Sequence, residues 1–135
     1  MNNYIQILLN FLYDYTDQLY SKKIISEINK KQISIDYLSN NKKGDIASNF
    51  YLIIIKKIID KNYDFENELK HKILNLKFIK NFEISKNGFI NFFLKEDFIL
   101  SSLNRIYKNE FNNDVLYGKN KKINIEFVSA NPTGP

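Results

Sequence analysis

At 135 residues the chain suits one compact domain and a little more. Its formal charge of +5 fits a polyanionic partner and a lysine-rich background equally well, since Lys and Asn abound throughout. The absence of cysteine excludes disulfides and thiolate metal sites. No apolar run is long enough to span a bilayer, and the Asn2-Asn3 start does not read as a signal peptide, so a cytoplasmic protein without a membrane partner is expected.

Ile5, Leu8, Leu9, Leu12 and Leu19 recur at helical spacing and predict an amphipathic first helix, its apolar surface widened by Tyr4, Phe11, Tyr13 and Tyr20. "QISIDYL" alternates, with Ile33, Ile35 and Tyr37 on one strand face. After the polar loop "SNNKKGD", Asp45 is placed to cap a helix beginning near Ile46, with Ala47, Phe50, Tyr51, Ile54, Ile55 and Ile58 as a buried stripe. Asp64 is placed to cap a shorter helix with Leu69, Ile73 and Leu76 inward; His71, the lone histidine, falls on its surface.

The period then changes to two. In "FIKNFEIS", Phe78, Phe82 and Ile84 share one face, and Ile79, Asn81, Glu83 and Ser85 the other. Asn87-Gly88 predicts a two-residue type I′ turn, which needs positive φ at both central positions. In the return strand "FINFFL", Ile90, Phe92 and Leu94 face one way, and Phe89, Asn91 and Phe93 the other. A last helix is expected from about Lys95 to Phe111 with Ile99, Leu103 and Ile106 inside, then a polar linker and a strand "INIEFV". The fold class is α+β: a small, mostly antiparallel sheet with helices packed on one face.

Two places have the residues for recognition chemistry. An aromatic and an amide two residues apart on one strand face, Phe89 and Asn91, can stack a base and hydrogen-bond its edge. The same face would also suit packing under a helix or a partner domain. Near the carboxyl end, Glu126 lies between Ile125 and Phe127, and Asn131 precedes a proline. A positioned carboxylate and amide there suit a guanidinium or an amino group, while spacing alone favours an edge strand and an ordinary turn. The four glycines are scattered, so no phosphate-cradling loop is present.

"INIEFVSANPTGP" resembles the start of the catalytic domain of the arginyl-tRNA synthetase family, which runs on into a His-x-Gly-His signature. "KKGDIASNF" is similar to a Gly-Asp-(Tyr)-x-(Ser/Thr)-Asn segment of that family, with Ile46 where an aromatic is common. "NGFINFFL" resembles its Pro-Gly-Phe-Ile-Asn-Phe-x-Leu hairpin, with Asn87 in place of proline. The "LYG" of Leu116 to Gly118 fits the family's domain junction.

The resemblance implies a tRNA-contacting additional domain over residues 1–112, a linker over 113–122 and the start of a class I catalytic domain over 123–135. It implies that Phe89 and Asn91, with Asn87 beside them, contact a D-loop nucleotide of an arginine-specific tRNA. Glu126, Ser129 and Asn131 would belong to an arginine pocket. The His-x-Gly-His and Lys-Met-Ser-Lys-Ser segments are missing, so the chain is expected to be the amino-terminal piece of a longer, monomeric ligase. It would hold no catalytic residue and bind no cofactor of its own, with ATP and Mg2+ entering as substrate of the full-length enzyme. The alternative is a non-catalytic α+β protein-interaction domain anchored by Phe89 and Phe93.

Overall fold

The computed structural model describes residues 3–39 and 43–108, together with 122 and 124. The expected linker, the strand of residues 123–128 and the arginine-pocket residues Glu126, Ser129 and Asn131 lie outside the described residues.

Helix α1 spans Asn3–Ser21. Leu8, Leu12, Tyr15, Thr16 and Leu19 form its buried stripe, whereas Tyr20 is exposed. Thr16 is tolerated inside because its hydroxyl donates to the Leu12 carbonyl at 2.8 Å. The helix ends with Lys23 at φ 57° and the Ile24 N–H returning to the Leu19 carbonyl at 3.0 Å, a left-handed cap in which Lys23 fills a position that usually favours glycine.

Strand β1 is short, Ile35–Tyr37. Ile33 is buried just before it, but Tyr37 stands exposed. Helix α3, Phe65–Leu74, begins as expected: the Asp64 side chain accepts the Asn67 N–H at 3.1 Å. Strand β3 is Ile79–Ile84 and β4 is Ile90–Leu94.

The helix expected from Ile46 is instead a strand and a shorter helix: β2 at Ile46–Ser48 and α2 at Phe50–Ile55. Asp45 therefore caps no helix; its carboxylate accepts the Leu94 N–H at 2.7 Å. The Phe50 N–H is taken by the Ser48 hydroxyl at 3.2 Å. Three strand residues are too few to show a period of two, and Ile46, Phe50 and Ile54, all fully buried, also fit a helical stripe.

The four strands form one antiparallel sheet in the order β1-β2-β4-β3. β2 thus sits inside the sheet, against β4, with Ile46 opposite Phe92 and Ser48 opposite Ile90. One face of the sheet, carrying Ile46, Ile90, Phe92 and Leu94, joins a single core with Leu8, Leu12, Leu19, Phe50, Leu69 and Ile73 of the helices. Tyr15 stacks on Phe65 there, ring centroids 6.2 Å apart. This is the α+β architecture expected, with the helices on one face.

Two details of the hairpin differ from expectation. Ile79 pairs with Leu94 while Asn81 pairs with Phe93, so Lys80 is a bulge residue. The bulge resets the alternation and puts Ile79 in the core beside Phe78. The turn is a three-residue loop, Lys86 to Gly88, rather than a type I′ turn: the Ser85 carbonyl accepts the Gly88 N–H at 2.8 Å, and of Asn87 and Gly88 only the glycine has positive φ, 81°.

Helix α4, Glu96–Tyr107, buries less than its pattern demands. Phe98 packs on Tyr4 and Phe78. Ile99, Leu103 and Ile106 are exposed, at 38%, 54% and 42%. Periodicity marks which side chains share a face; it does not supply the surface that covers them. Residues 109–111 of the expected helix lie outside the described residues.

Candidate functional site

The face of the sheet away from the helices carries the candidate site. β4 alternates strictly, with Ile90, Phe92 and Leu94 buried and Asn91 and Phe93 half-buried on the opposite side. Phe89, just before the strand, shares that open side. An open cavity of about 420 Å³ lies here, lined by Asn87, Phe89 and Asn91 together with Leu38, Lys43, Ala47 and Ser85. The three residues singled out in the hairpin are therefore brought to one cavity. Phe93 shares their face but does not line it.

Backbone pairing sets the floor. Across the sheet, Asp36, Ala47, Asn91 and Glu83 stand in one row on neighbouring strands. The small side chain of Ala47 lies beside Asn91 in the cavity lining, and Asp36 and Glu83 stand at the two ends of the row. No described residue hydrogen-bonds the Asn91 amide, which lines the cavity.

The loop before β2 closes another wall. Gly44 has φ 107°, and a Cβ there would come within 3.1 Å of the Phe92 carbonyl and 3.2 Å of the Asn91 Cβ. Only glycine lets the chain lie this close to β4. The loop is held down by the Asp45 N–H to the Phe92 carbonyl at 2.9 Å and by the Asp45 carboxylate on the Leu94 N–H. Lys43, just before Gly44, lines the cavity as its single charged residue among those described.

Lys43, Ala47, Leu38 and Ser85 were not legible from the sequence as site residues. The alternation of the hairpin pointed to its own residues only, because cross-strand neighbours depend on a β2 that three residues cannot announce. One signal was present for Lys43: it directly precedes the Gly-Asp pair that ties the loop to β4.

The described helices contain none long and apolar enough to cross a membrane. Residues 15–94 match the family model described as "Arginyl tRNA synthetase N terminal domain". The chain belongs to the arginyl-tRNA synthetase N-terminal domain family. It is similar to the arginine–tRNA ligase of Ehrlichia ruminantium (strain Gardel), at 39% identity over 107 residues, which is 77% of this chain and 18% of that one. It is also similar to the arginine–tRNA ligases of Orientia tsutsugamushi (strain Ikeda), 34% identical over 85% of this chain and 20% of the relative, and of Rickettsia canadensis (strain McKiel), 36% identical over 87% and 20%. The chain thus spans about a fifth of the length of the curated relatives it matches. No solved structure matches it. The matched stretch of the arginyl-tRNA synthetase domain, residues 15–94, contains every residue lining the cavity.

Proposed function

We propose that this chain is the tRNA-contacting domain of an arginine–tRNA ligase, and that the open cavity receives one unstacked nucleotide of the tRNA D-loop. The observation that carries this reading is the cavity of about 420 Å³ on the side of the sheet away from the described helices, with the Phe89 ring and the Asn91 amide, unengaged by any described residue, in its wall. An aromatic ring stacks any base, for about 1–3 kcal/mol. A free amide offers both a donor and an acceptor to the base edge. Lys43 supplies a cation for the adjoining phosphate. The names of the relatives support the ligase as the setting.

In this reading residues 1–112 form the tRNA-contacting domain, 113–122 a linker and 123–135 the start of a catalytic domain. Glu126, Ser129 and Asn131 there are proposed to help hold arginine. Attachment of arginine to tRNA with ATP and Mg2+ belongs to the longer, monomeric, cytoplasmic enzyme, and the 135-residue chain alone is proposed to be inactive.

The test is an NMR titration of the isotopically labelled chain with an arginine tRNA transcript at fixed salt. Shifts centred on Lys43, Phe89 and Asn91, reduced when the D-loop bases are replaced, are the expected result. A blunt RNA duplex of equal charge giving the same shifts, or no shift on that face, would overturn the reading and favour a protein-interaction domain.

A further inference from the structure

Ser85 closes the hairpin with its backbone and its side chain, its carbonyl accepting the Gly88 N–H. Its backbone N–H donates to the Phe89 carbonyl at 2.8 Å. Its hydroxyl oxygen accepts the Phe89 N–H at 3.1 Å. That leaves the hydroxyl's single proton. Two acceptors lie within reach, the Asn87 Oδ1 at 2.5 Å and the Phe89 carbonyl at 2.9 Å. Asn87 Oδ1 is the nearer, at the length of a good O–H···O bond, so the proton goes to Asn87.

We infer that Ser85 is a positioning residue for the cavity: by taking the Asn87 carbonyl oxygen it commits that amide to present its two N–H donors to the ligand. The inference rests on the nucleotide-binding reading and deepens it. The two amides of the site then differ in kind. Asn91 has no partner among the described residues and can turn either end to a base. Asn87 is set one way round, because a contact of 2.5 Å suits O–H···O and is too short for its NH2 to donate to the Ser85 hydroxyl. The hairpin side of the cavity therefore asks for an oxygen acceptor, either a base carbonyl or a phosphate oxygen.

The experiment is a double-mutant cycle on the 135-residue chain, Ser85→Ala, Asn87→Ala and the pair, titrated by NMR with the arginine tRNA transcript. Each single change is expected to weaken binding roughly three- to tenfold, and the pair no more than either alone, because one amide is being lost twice. Ser85→Thr keeps the hydroxyl and should restore binding. Independently of RNA, the Asn87 side-chain NH2 signals should sharpen to one conformer in the wild type and average in Ser85→Ala. If Ser85→Ala loosens the hairpin itself, Asn87→Asp still decides. It keeps Oδ1 for Ser85 but replaces the donors with a second oxygen, so it should bind no better than Asn87→Ala at an unchanged melting temperature.

Additive losses in the cycle, or Asn87→Asp binding like the wild type, would overturn the inference while leaving the nucleotide site intact. Absence of wild-type shifts on this face would overturn both. Among D-loop variants, a Ser85–Asn87 coupling that follows the identity of one base assigns the acceptor to that base's carbonyl. A coupling indifferent to every base assigns it to phosphate.

Discussion

Alternate residues of β4 live in opposite worlds. Ile90 and Phe92 are wholly enclosed by helices, while Asn91 between them and Phe89 before them look into an open cavity. The same strand, with the same backbone pairing, supplies the centre of the core on one side and the candidate recognition surface on the other. Rigidity is thereby lent from one face to the other. Asn91 can be held in place without a side-chain bond to any described residue, because its neighbours in the chain are locked into a packed interior.

The contrast predicts which changes damage folding and which damage binding. The largest effect belongs to Phe92→Ala, which removes a fully buried ring and should cost about 3–5 kcal/mol of stability in chemical denaturation. Phe89→Ala should lower stability far less, yet weaken tRNA binding by about 1–3 kcal/mol if a base stacks on the ring. A large stability loss with unchanged tRNA affinity would mean that Phe89 is a packing residue and that the two faces are not distinct. Asn91→Ala is expected to cost about 0.5–1.5 kcal/mol in binding, to leave the melting temperature in place and to relax discrimination among D-loop bases. Equal loss for every base substitution would remove Asn91 from base reading.

The smallest effect sharpens the helix side. The Tyr51 hydroxyl donates to Glu66, and this bond, followed by burial, pushes its pKa up to about 12. Burial, then the bond to Glu68, pushes Tyr63 up to about 12 as well. A raised phenol pKa favours the neutral folded form. Its contribution is complete below the ordinary value of 10.0 and is lost as pH rises through about 12. Denaturation midpoints should therefore hold steady up to about pH 10 and fall above it. Tyr51→Phe and Tyr63→Phe should each flatten that decline, and a decline unchanged in both would place its cause elsewhere.

Much of this division was legible in "FINFFL", because five or six residues are enough to display a period of two when one face is apolar. The Asp64 cap was legible for a similar reason: a single carboxylate stands directly before a helical stripe. β2 was not, since Ile46, Ala47 and Ser48 merge into the apolar pattern of α2, and the pair Ser48-Asn49 that marks the break is weaker than the Gly44-Asp45 pair upstream. Asn49 in fact ties that junction to the chain before β1, accepting the Ser34 N–H and donating to the Gln32 carbonyl, both at 2.9 Å. The bulge at Lys80 was hidden for another reason. An extra residue changes only the register, and register is a property of two strands. The exposed stripe of α4 shows the converse limit: Ile99, Leu103 and Ile106 form one apolar face that the described residues leave exposed.

The pairing of β4 on both sides also has a kinetic meaning. Its partner β3 is a short loop away, and such hairpins close in about 1–10 μs. Its partner β2 lies beyond α2, α3 and β3, so that contact must wait for a long stretch of chain to be gathered in. The cavity is accordingly assembled in two halves on two clocks: Ser85, Asn87 and Phe89 come with the hairpin, and Lys43 and Ala47 come with the distant strand. Pulse-labelled hydrogen exchange during refolding should protect the Gly88 N–H, bonded to Ser85, before the Asp45 N–H, bonded to Phe92; the reverse order would show that the sheet grows from its other side. A chain that can form this cavity has already completed the slow, long-range step of its folding, so the ability to hold a nucleotide would report on the maturity of the whole sheet.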